Sequence, residues 1–548
     1  MPRPFRPFAS PWLVPLAALA ALAAIALFSP ADTRRALANS AVLAAGTTAI
    51  ALPLGTLLAV LVTRLDLPGR RLAIAGLGLL LFLPLYAQLC GWEAAAGRVG
   101  WLTLNYGNVS QPLLAGMRGA IFVHGIAAVP WVALIVGLGL LQIDRAQEEA
   151  ALLVLSPAEV LWRITLRQSL PFVMAAAIWT AVSTTSDMVV TNIFLMNATR
   201  ERFERTYTEQ FYSKFSRTAD AGEATLAVLP GVLGLVVVVL ILLWIASQLS
   251  SRRHITAVGR SVTFPSGRLR PVLSLLMWLV VGAMIAVPLA SLLYKAGFVV
   301  LHQGEARVRS WSLLAVGNEI ARALEPRRYG LDFSWTVRVA AAAATLALLA
   351  GIALAWPARR GGRSGAPALT AVVLGLAIPG PLVGALLIQL FNHDLPPQFS
   401  IGGSPKSWLL ILYDQTPLPP ILAQAIRALP LATLIAWHSF RSLSEEVLAA
   451  AALDGCSPWQ VFWRIALPQR WRAILAAWLA AFAVAAGDLA WAHLVTPPGM
   501  DLIQRRVFGL VHSGVEEQVA AISLINIAAY ALLAGLILWL LRPRIRTV

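Results

Sequence analysis

The chain has 548 residues, of which 58% are hydrophobic and only 13% are charged. Because soluble domains carry about 25% charged residues, this composition excludes an ordinary soluble protein and predicts an all-α polytopic membrane protein. The formal net charge of +17 does not indicate nucleic-acid binding, because the basic residues lie in short loops beside apolar segments and form no basic arm.

Apolar runs of roughly 20 residues, the length that spans a bilayer, predict about twelve transmembrane helices. In the first half they lie at about 11–29, 39–63, 72–92, 119–141, 171–196 and 224–248, and in the second at about 272–294, 335–356, 368–391, 418–440, 473–495 and 520–541. A β-barrel is excluded because the runs are too long and do not alternate. The first run is expected to be an uncleaved span, because Ser29-Pro30-Ala31-Asp32 is a poor cleavage site.

Basic residues in the short loops predict the orientation of the chain. With twelve spans, both termini share the side that holds most Lys and Arg of the short loops, and this side is expected to be cytoplasmic. The loops on the opposite side are longer, at 197–223, 295–334, 392–417 and 496–519. We expect them either to form short helices that dock a soluble partner or to be solvated connectors.

An internal repeat divides the chain. Ser156-Pro157 and Trp162-Arg163 recur in the same register as Ser457-Pro458 and Trp463-Arg464. We call residues 142–170 loop 1 and residues 441–470 loop 2. The repeat predicts two parallel six-span units, 1–250 and 272–548, joined by a polar, basic linker at 251–271.

Each repeated loop is predicted to form a helix, a turn and a second helix. In loop 2, Glu445–Leu453 is rich in alanine, and Gly455 supplies the left-handed residue that ends a helix. Ser457 and Gln460 then form a capping box around a proline at the first helical position. Loop 1 repeats this box at Ser156–Glu159. The alternative is an interfacial hairpin that lies on lipid headgroups.

At these residues the chain resembles a known family. Glu-Ala-Ala, three residues, Gly and a hydrophobic helix ending in Leu-Pro resemble the EAA loop of ABC-importer permeases, matched here at 148–166 and 445–468. In that family the loop docks onto ATPase subunits. The resemblance implies these coupling residues: in loop 1, Glu148, Glu149, Ala150, Ser156, Pro157, Glu159, Trp162 and Arg163; in loop 2, Glu445, Glu446, Ala450, Asp454, Gly455, Ser457, Pro458, Gln460, Trp463 and Arg464.

The two loops depart from the family pattern in different ways. Loop 2 keeps Asp454-Gly455 but has Ala449 where the family usually has glutamate. Loop 1 keeps Glu148 but has Leu153-Val154 in place of Asp-Gly, and Arg167 in place of the closing proline. We therefore expect the two docking contacts to be unequal.

Three further motifs are similar to fused iron(III) and thiamine permeases. They are Gly487-Asp488-Leu489, Thr496-Pro497-Pro498-Gly499 and the segment IPGPLVG at 378–384. The resemblance implies the type I importer permease fold, with iron(III) as the first expected cargo. Thiamine, a phosphonate or a polyamine are the alternatives.

The sequence contains no Gly-x-x-x-x-Gly-Lys-Ser/Thr phosphate loop, and the chain is therefore not expected to be an enzyme. The resemblance implies two copies of a separate ATPase that bind ATP and Mg²⁺, a periplasmic binding protein, and a location in the bacterial inner membrane. No cofactor and no metal site are expected in the chain. The alternative from another class is a twelve-span secondary transporter, which would need coupling residues inside its spans.

Two aspartates occupy matching positions inside predicted spans. Asp187 and Asp488 align in the register of the repeat, and an aspartate in the middle of a span costs about 2.5–3.5 kcal/mol on insertion scales. They are expected either to flank a translocation path for a cation or to be packing residues satisfied by nearby hydroxyls and backbone.

Overall fold

A computed structural model of the chain describes residues 30–97, 100–102, 104–106, 109–196, 205–218, 233–234, 237, 262–303, 306–392, 398–401 and 404–541. The predicted span at 11–29 lies outside the described residues, as does nearly all of the predicted span at 224–248. Of the predicted linker, only residues 262–271 are described.

The first part of the chain contains ten described helices and one hairpin. They are α1 (Ala31–Thr63), α2 (Arg70–Phe82), α3 (Leu85–Ala96), the strands β1 (Leu104–Tyr106) and β2 (Val109–Gln111), α4 (Gly116–Leu140), α5 (Arg145–Leu152), α6 (Pro157–Val160), α7 (Arg167–Ser186), α8 (Val189–Met196), α9 (Tyr207–Thr218) and α10 (Arg270–Ala296). A π-helical turn, Leu161–Leu166, connects α6 to α7, and a 3-10 turn, Gly267–Leu269, precedes α10.

The second part of the chain contains eleven described helices and two hairpins. Its elements are β3 (Phe298–Gln303), β4 (Ala306–Trp311), α11 (Leu313–Leu324), α12 (Leu331–Ala358), α13 (Ala366–Ala377), α14 (Gly380–Phe391), β5 (Gln398–Ile401), β6 (Ser404–Ser407), α15 (Trp408–Gln415), α16 (Leu418–Arg441), α17 (Glu445–Leu453), α18 (Pro458–Gln460), α19 (Leu467–Gly487), α20 (Ile503–His512) and α21 (Glu516–Leu540). π-Helical turns precede α12 (Pro326–Gly330) and α19 (Val461–Ala466), and a 3-10 turn (Gly362–Gly365) precedes α13.

The chain folds into two compact units that interleave along the sequence. Unit 1 comprises 1–77 and 113–285, and unit 2 comprises 78–112 and 286–548. The compact units are therefore a different division of the chain from the two sequence repeats, whose boundaries stay a prediction.

The core of each unit is a packed group of three long helices with small residues at the contacts. In unit 1, α1, α4 and α7 meet around Ala59, Val132 and Ala176. In unit 2, α12, α16 and α19 meet in the same way, and a Cβ at Gly351 would lie 3.0 Å from the backbone nitrogen of Thr433. Small residues allow membrane helices to approach closely, because association there depends on van der Waals contact.

The described residues contain eight helices long and apolar enough to span a membrane, or ten if each of two bent pairs is one span. This confirms the all-α polytopic class. The predicted spans 72–92 and 368–391 are the bent pairs, with angles of 103° at Pro84 and 102° at Pro379. A proline removes a backbone donor and clashes with the preceding turn, so each helix stops and restarts there.

Two other predicted spans, 171–196 and 473–495, are wrong as continuous helices. The helices end at Ser186 and Gly487, and the aspartate that follows each has an extended backbone. The three hairpins were also not predicted. Short helices do form in the described parts of the four long loops, namely α9, α11, α15 and α20, and their docking of a soluble partner stays a prediction.

Candidate functional site

The two repeated loops form the same helix, turn and capped helix. In loop 1, the Glu159 N–H lies 3.4 Å from Ser156 Oγ, and the Ser156 N–H donates to Glu159 Oε2 at 3.1 Å. In loop 2, the corresponding distances between Ser457 and Gln460 are 3.3 and 2.8 Å. Both capping boxes are complete, which confirms the sequence prediction.

The capped helix, which the sequence predicted as the second helix of the loop, does not end within the loop. It runs through a π-helical turn directly into a membrane helix, giving continuous candidate spans at Pro157–Ser186 and Pro458–Gly487. No glycine interrupts either segment before its end, and in loop 2 the π-helical turn ends two residues before Pro468. Each loop is therefore joined to a candidate membrane span by one continuous helical rod.

The turn between the two helices differs between the loops. In loop 2, Gly455 has φ of 75°, and the N–H groups of Cys456 and Gly455 donate to the carbonyls of Ala451 and Ala452 at 3.0 and 3.1 Å. These two bonds are a Schellman motif, which needs a left-handed residue after the helix.

Loop 1 closes its turn in another way. The N–H groups of Val154 and Leu155 both donate to the carbonyl of Ala151, at 3.0 and 2.8 Å, and Leu153 keeps a right-handed helical backbone. The exchange of Asp-Gly for Leu153-Val154 therefore changes the type of turn, while the serine cap after it is retained.

We expect Gly455→Val to destabilise loop 2 by about 1–2 kcal/mol, the cost of a left-handed backbone for a residue with a side chain. No atom lies within 4 Å of a Cβ built at Gly455, so the loss is one of backbone conformation and not of space. Hydrogen exchange of the amides of residues 451–456 measures it. Val154→Gly at the equivalent position is the matched control, and equal protection in Gly455→Val and the unaltered chain would contradict the prediction.

Apolar side chains at the tips of both loops are exposed. The exposed fraction is 87% for Leu153, 85% for Val154 and 90% for Leu453, and Trp162 and Trp459 are also mostly exposed. Clustered exposed apolar residues mark interaction surfaces in folded proteins. Among the alanines of loop 2, Ala450 is exposed whereas Ala451 is only 4% exposed.

Loop 1 is anchored by a buried ion pair. The Arg64 guanidinium lies 2.9 Å from Glu148 Oε2, and both side chains are fully buried. Thr165 donates its hydroxyl to the other carboxylate oxygen at 2.7 Å, and Arg64 also donates to the carbonyl of Leu140. Burial lowers the pKa of Arg64, and the negative charge of Glu148 opposes this effect.

Sequence reasoning missed Arg64, which directly follows the last residue of α1. Glu148 is therefore held inside the protein and does not face outward from the loop.

The end of the linker packs against the same arginine. The Val262 carbonyl accepts a hydrogen bond from Arg64 at 3.2 Å, and the Phe264 N–H donates to the Arg64 carbonyl at 2.8 Å. Phe264 is buried, and Ser266 donates both its hydroxyl and its N–H to Asp66. These two bonds lower the pKa of the Asp66 carboxyl. The described part of the linker is thus an ordered component of the loop 1 anchor.

Loop 2 is anchored by aromatic rings instead of charges. Ala449 and Ala466 stand where loop 1 has Glu148 and Thr165. The ring of Trp356 lies 5.1 Å from Phe462 and 5.4 Å from Phe440, between centroids. These aromatic contacts join α12, α16 and the π-helical turn of loop 2, so the loop is fixed without an ion pair.

An arginine directly follows the helix that forms the second predicted span of each half, but the two arginines have different contacts. Arg359 comes directly after α12, as Arg64 does after α1. With alanine (Ala449) at the position of Glu148, the Arg359 guanidinium stacks 3.3 Å from the centroid of Trp356 and donates to the Trp356 carbonyl at 2.6 Å. Where alanine replaces the glutamate, the arginine that follows the long helix thus contacts an aromatic ring instead of a carboxylate.

The two aligned aspartates lie at helix breaks. Asp187 accepts the Val190 N–H at 3.0 Å and lies 3.5 Å from His124 Nε2. Asp488 lies 2.7 Å from the Arg427 guanidinium. His124 is on α4 and Arg427 is on α16, the equivalent helices of the two units. Aspartate side chains compete for the N–H groups that follow them, which is why both helices stop here.

Two motifs of unit 2 that the sequence singled out pack against each other. A Cβ at Gly380, in the IPGPLVG segment, would lie 2.5 Å from Trp491, and a Cβ at Gly384 would lie 3.1 Å from Leu494. Both contact residues follow Asp488 within a few positions. The glycines therefore allow the broken helices α13–α14 and the segment after α19 to touch.

Comparison with known proteins finds a family match for a large part of the second half of the chain. Residues 347–546 match the model for the binding-protein-dependent transport system inner membrane component. This range begins within α12 and includes α13 to α21, loop 2 and Asp488.

Individual relatives are similar at a lower level. The putrescine transport system permease protein PotI of Escherichia coli K12 is 27% identical over 215 residues, 39% of this chain and 72% of the relative. The alpha-glucoside transport system permease protein AglF of Rhizobium meliloti is 29% identical, over 20% of this chain and 36% of its own length. The "Putative molybdenum transport system permease protein YvgM" of Bacillus subtilis is 28% identical, over 28% of this chain and 65% of its own length.

These relatives are named for chemically different cargoes but for the same kind of membrane component. The matched range includes both the capped loop and the helices that anchor it. Residues 347–546 therefore form a permease unit of the binding-protein-dependent ABC transport family.

Proposed function

We propose that the chain is the two-lobed permease of an ATP-driven importer and that loops 1 and 2 are its two ATPase-docking sites. The observation that carries this proposal is the same capped loop in both halves, each with an exposed apolar tip and each continuous with a membrane helix. Two equivalent loops fit a partner with two-fold symmetry. ATP binding in that partner would pull on both rods and switch the lobes between inward-open and outward-open states.

The partners follow from this assignment. Two copies of a separate ATPase would bind ATP and Mg²⁺, and a periplasmic binding protein would deliver cargo to the long loops on the opposite side. The chain would lie in the bacterial inner membrane with both termini in the cytoplasm, the side that carries loops 1 and 2. The family description supports a binding-protein-dependent system.

Two cargoes are proposed, iron(III) and a polyamine. Iron(III) rests on the resemblance of the Gly487–Leu489 and IPGPLVG motifs to iron(III) permeases. A polyamine is favoured by the similarity to the permease named for putrescine, of which the chain covers 72%. Both cargoes are cations, so Asp187 and Asp488 are proposed to flank the path. Their present partners, His124 and Arg427, would then have to release them during transport.

Reconstitution of the chain with its ATPase in liposomes tests the proposal. We expect uptake that requires ATP, the ATPase and a loaded binding protein, with either radioactive iron(III) or putrescine as cargo. Asp488→Asn should reduce uptake while the ATPase stays bound, and Arg427→Gln with Asp488→Asn should not restore it. Restoration would make Asp488 a packing residue. Uptake by the chain alone on an ion gradient would instead establish a secondary transporter and overturn the proposal.

A further inference from the structure

Unit 1 contains an open cavity of about 690 Å³ beside loop 1. Its walls come from the ends of α1 and α4, from the start of α2, from α5 and from the linker, at Val262 and Thr263. None of the coupling or path residues proposed above except Glu149 lines it. The cavity is therefore a separate feature of this face of the protein.

The cavity carries net positive charge. Arg70, Arg71 and Arg145 line it, together with one carboxylate, that of Glu149, which lies 2.6 Å from Arg145 Nε. Arg70 donates to the carbonyl of Leu65 at 3.1 Å. In the part of the chain that the structure describes, Glu149 is the one carboxylate that lines the cavity, so two guanidinium charges there have no counter-charge from the cavity wall.

The cavity also lies where a bilayer would end. Val62 and Thr63 are the last residues of the candidate span Ala31–Thr63, and Leu141 directly follows the candidate span Gly116–Leu140. Ile74, one turn into α2, is exposed. The cavity thus joins an apolar wall at the depth of acyl chains to arginines at the depth of headgroups. Basic pockets of this kind between transmembrane helices bind anionic lipid headgroups.

The second half lacks this combination of charges. When α2 and α13 are aligned on their breaking prolines, Pro84 and Pro379, Arg70 and Arg71 correspond to Gly365 and Ala366. In the register of the loops, Arg145 corresponds to Glu446. The corresponding loop of the second half does carry arginines, at 359, 360 and 363, but Arg359 stacks on Trp356, so the charges are placed differently in the two halves.

We propose that this cavity binds a phosphate group, supplied by the headgroup of an anionic phospholipid or by free phosphate. Arginine suits a phosphate because its planar guanidinium donates two parallel hydrogen bonds to the oxygens. A bound phosphate would join α2, loop 1 and the linker end through one anion. The inference does not depend on the cargo or on the ATPase, because binding is measured on the chain alone.

Native mass spectrometry of the delipidated full chain tests this inference. We expect one molecule of phosphatidylglycerol to bind more tightly than phosphatidylcholine, and Arg71→Gln with Arg145→Gln to weaken that binding at least about tenfold, since two charge-assisted bonds are lost. Inorganic phosphate is added in a second arm. Displacement of the lipid only at high phosphate concentration identifies the lipid as the ligand, whereas tight phosphate binding that the variant loses identifies free phosphate.

The matched control removes two arginines on the same membrane face but outside the cavity. Arg167 and Arg268 are both exposed and do not line it, so Arg167→Gln with Arg268→Gln should leave the tight site unchanged. Arg71→Gln alone, at an exposed position, should weaken binding without altering the unfolding temperature. Equal binding of phosphatidylglycerol and phosphate by the unaltered chain and the Arg71/Arg145 variant would overturn the inference.

Discussion

Ala450→Arg is expected to abolish transport and to release the ATPase from loop 2. The side chain of Ala450 lies on the exposed face of α17, so arginine fits there in the isolated chain and folding is preserved. In the docked complex it would place a bulky, unpaired charge in an interface, which costs enough to weaken association by at least about tenfold. Co-purification of the ATPase and ATP-dependent uptake in liposomes are the two measurements.

The control for Ala450→Arg is the neighbouring alanine. Ala451 is almost fully buried, so Ala451→Arg should disrupt packing and lower the amount of protein in the membrane, whereas Ala450→Arg should not. Ala450→Ser, which adds little volume and no charge, should retain uptake. If Ala450→Arg transports at the normal rate with its ATPase bound, loop 2 is not a docking site.

Loop architecture was predictable from the sequence because its determinants are local. A serine followed three residues later by glutamate or glutamine, directly before an apolar helical run, favours a capping box, and both boxes formed at Ser156 and Ser457. The end of α17 was predictable for the same reason, since Gly455 is the residue that tolerates a left-handed backbone.

Helix breaks inside apolar runs were not predictable, because hydropathy averages over about 19 residues. Pro84 and Pro379 were visible in their spans, but proline also occurs inside continuous helices here, as at Pro130. Whether a proline bends a helix by 100° depends on the neighbours that satisfy the freed backbone groups. At one of these bends the side chain of Gln88 donates to the carbonyls of Leu80 and Leu83.

The anchor of loop 1 was not predictable either, because its partners are distant in sequence. Arg64 and Glu148 are 84 residues apart, and neither position follows a spacing rule that links them. From the family resemblance, Glu148 was expected to contact a partner subunit, whereas the structure buries it inside the chain. The one signal in the sequence was indirect: Ala449 and Ala466 replace Glu148 and Thr165 together. The paired loss is what a contact between Glu148 and Thr165 would produce, although many other positions also differ between the loops.

Glu148→Ala is expected to destabilise the isolated chain by about 3–5 kcal/mol, because it leaves the Arg64 charge buried without its partner. The effect should be local first, since Glu148 joins loop 1 to α1 and the linker end. Cleavage at the exposed Leu153-Val154 tip by a protease should accelerate, and the unfolding temperature in detergent should fall. Glu149→Ala, one residue away and exposed, should change stability by no more than about 0.5 kcal/mol.

The decisive variant removes both charges. Arg64→Met with Glu148→Leu should recover most of the stability lost in Glu148→Ala, because an apolar pair of similar volume replaces a buried ion pair at little or no cost. Loop 2 already holds its position with aromatic contacts and no such pair. If the double variant is stable and still transports, Glu148 is a positioning residue for loop 1. If Glu148→Ala leaves stability unchanged but releases the ATPase, the carboxylate faces the partner in the working complex and the internal anchor is wrong.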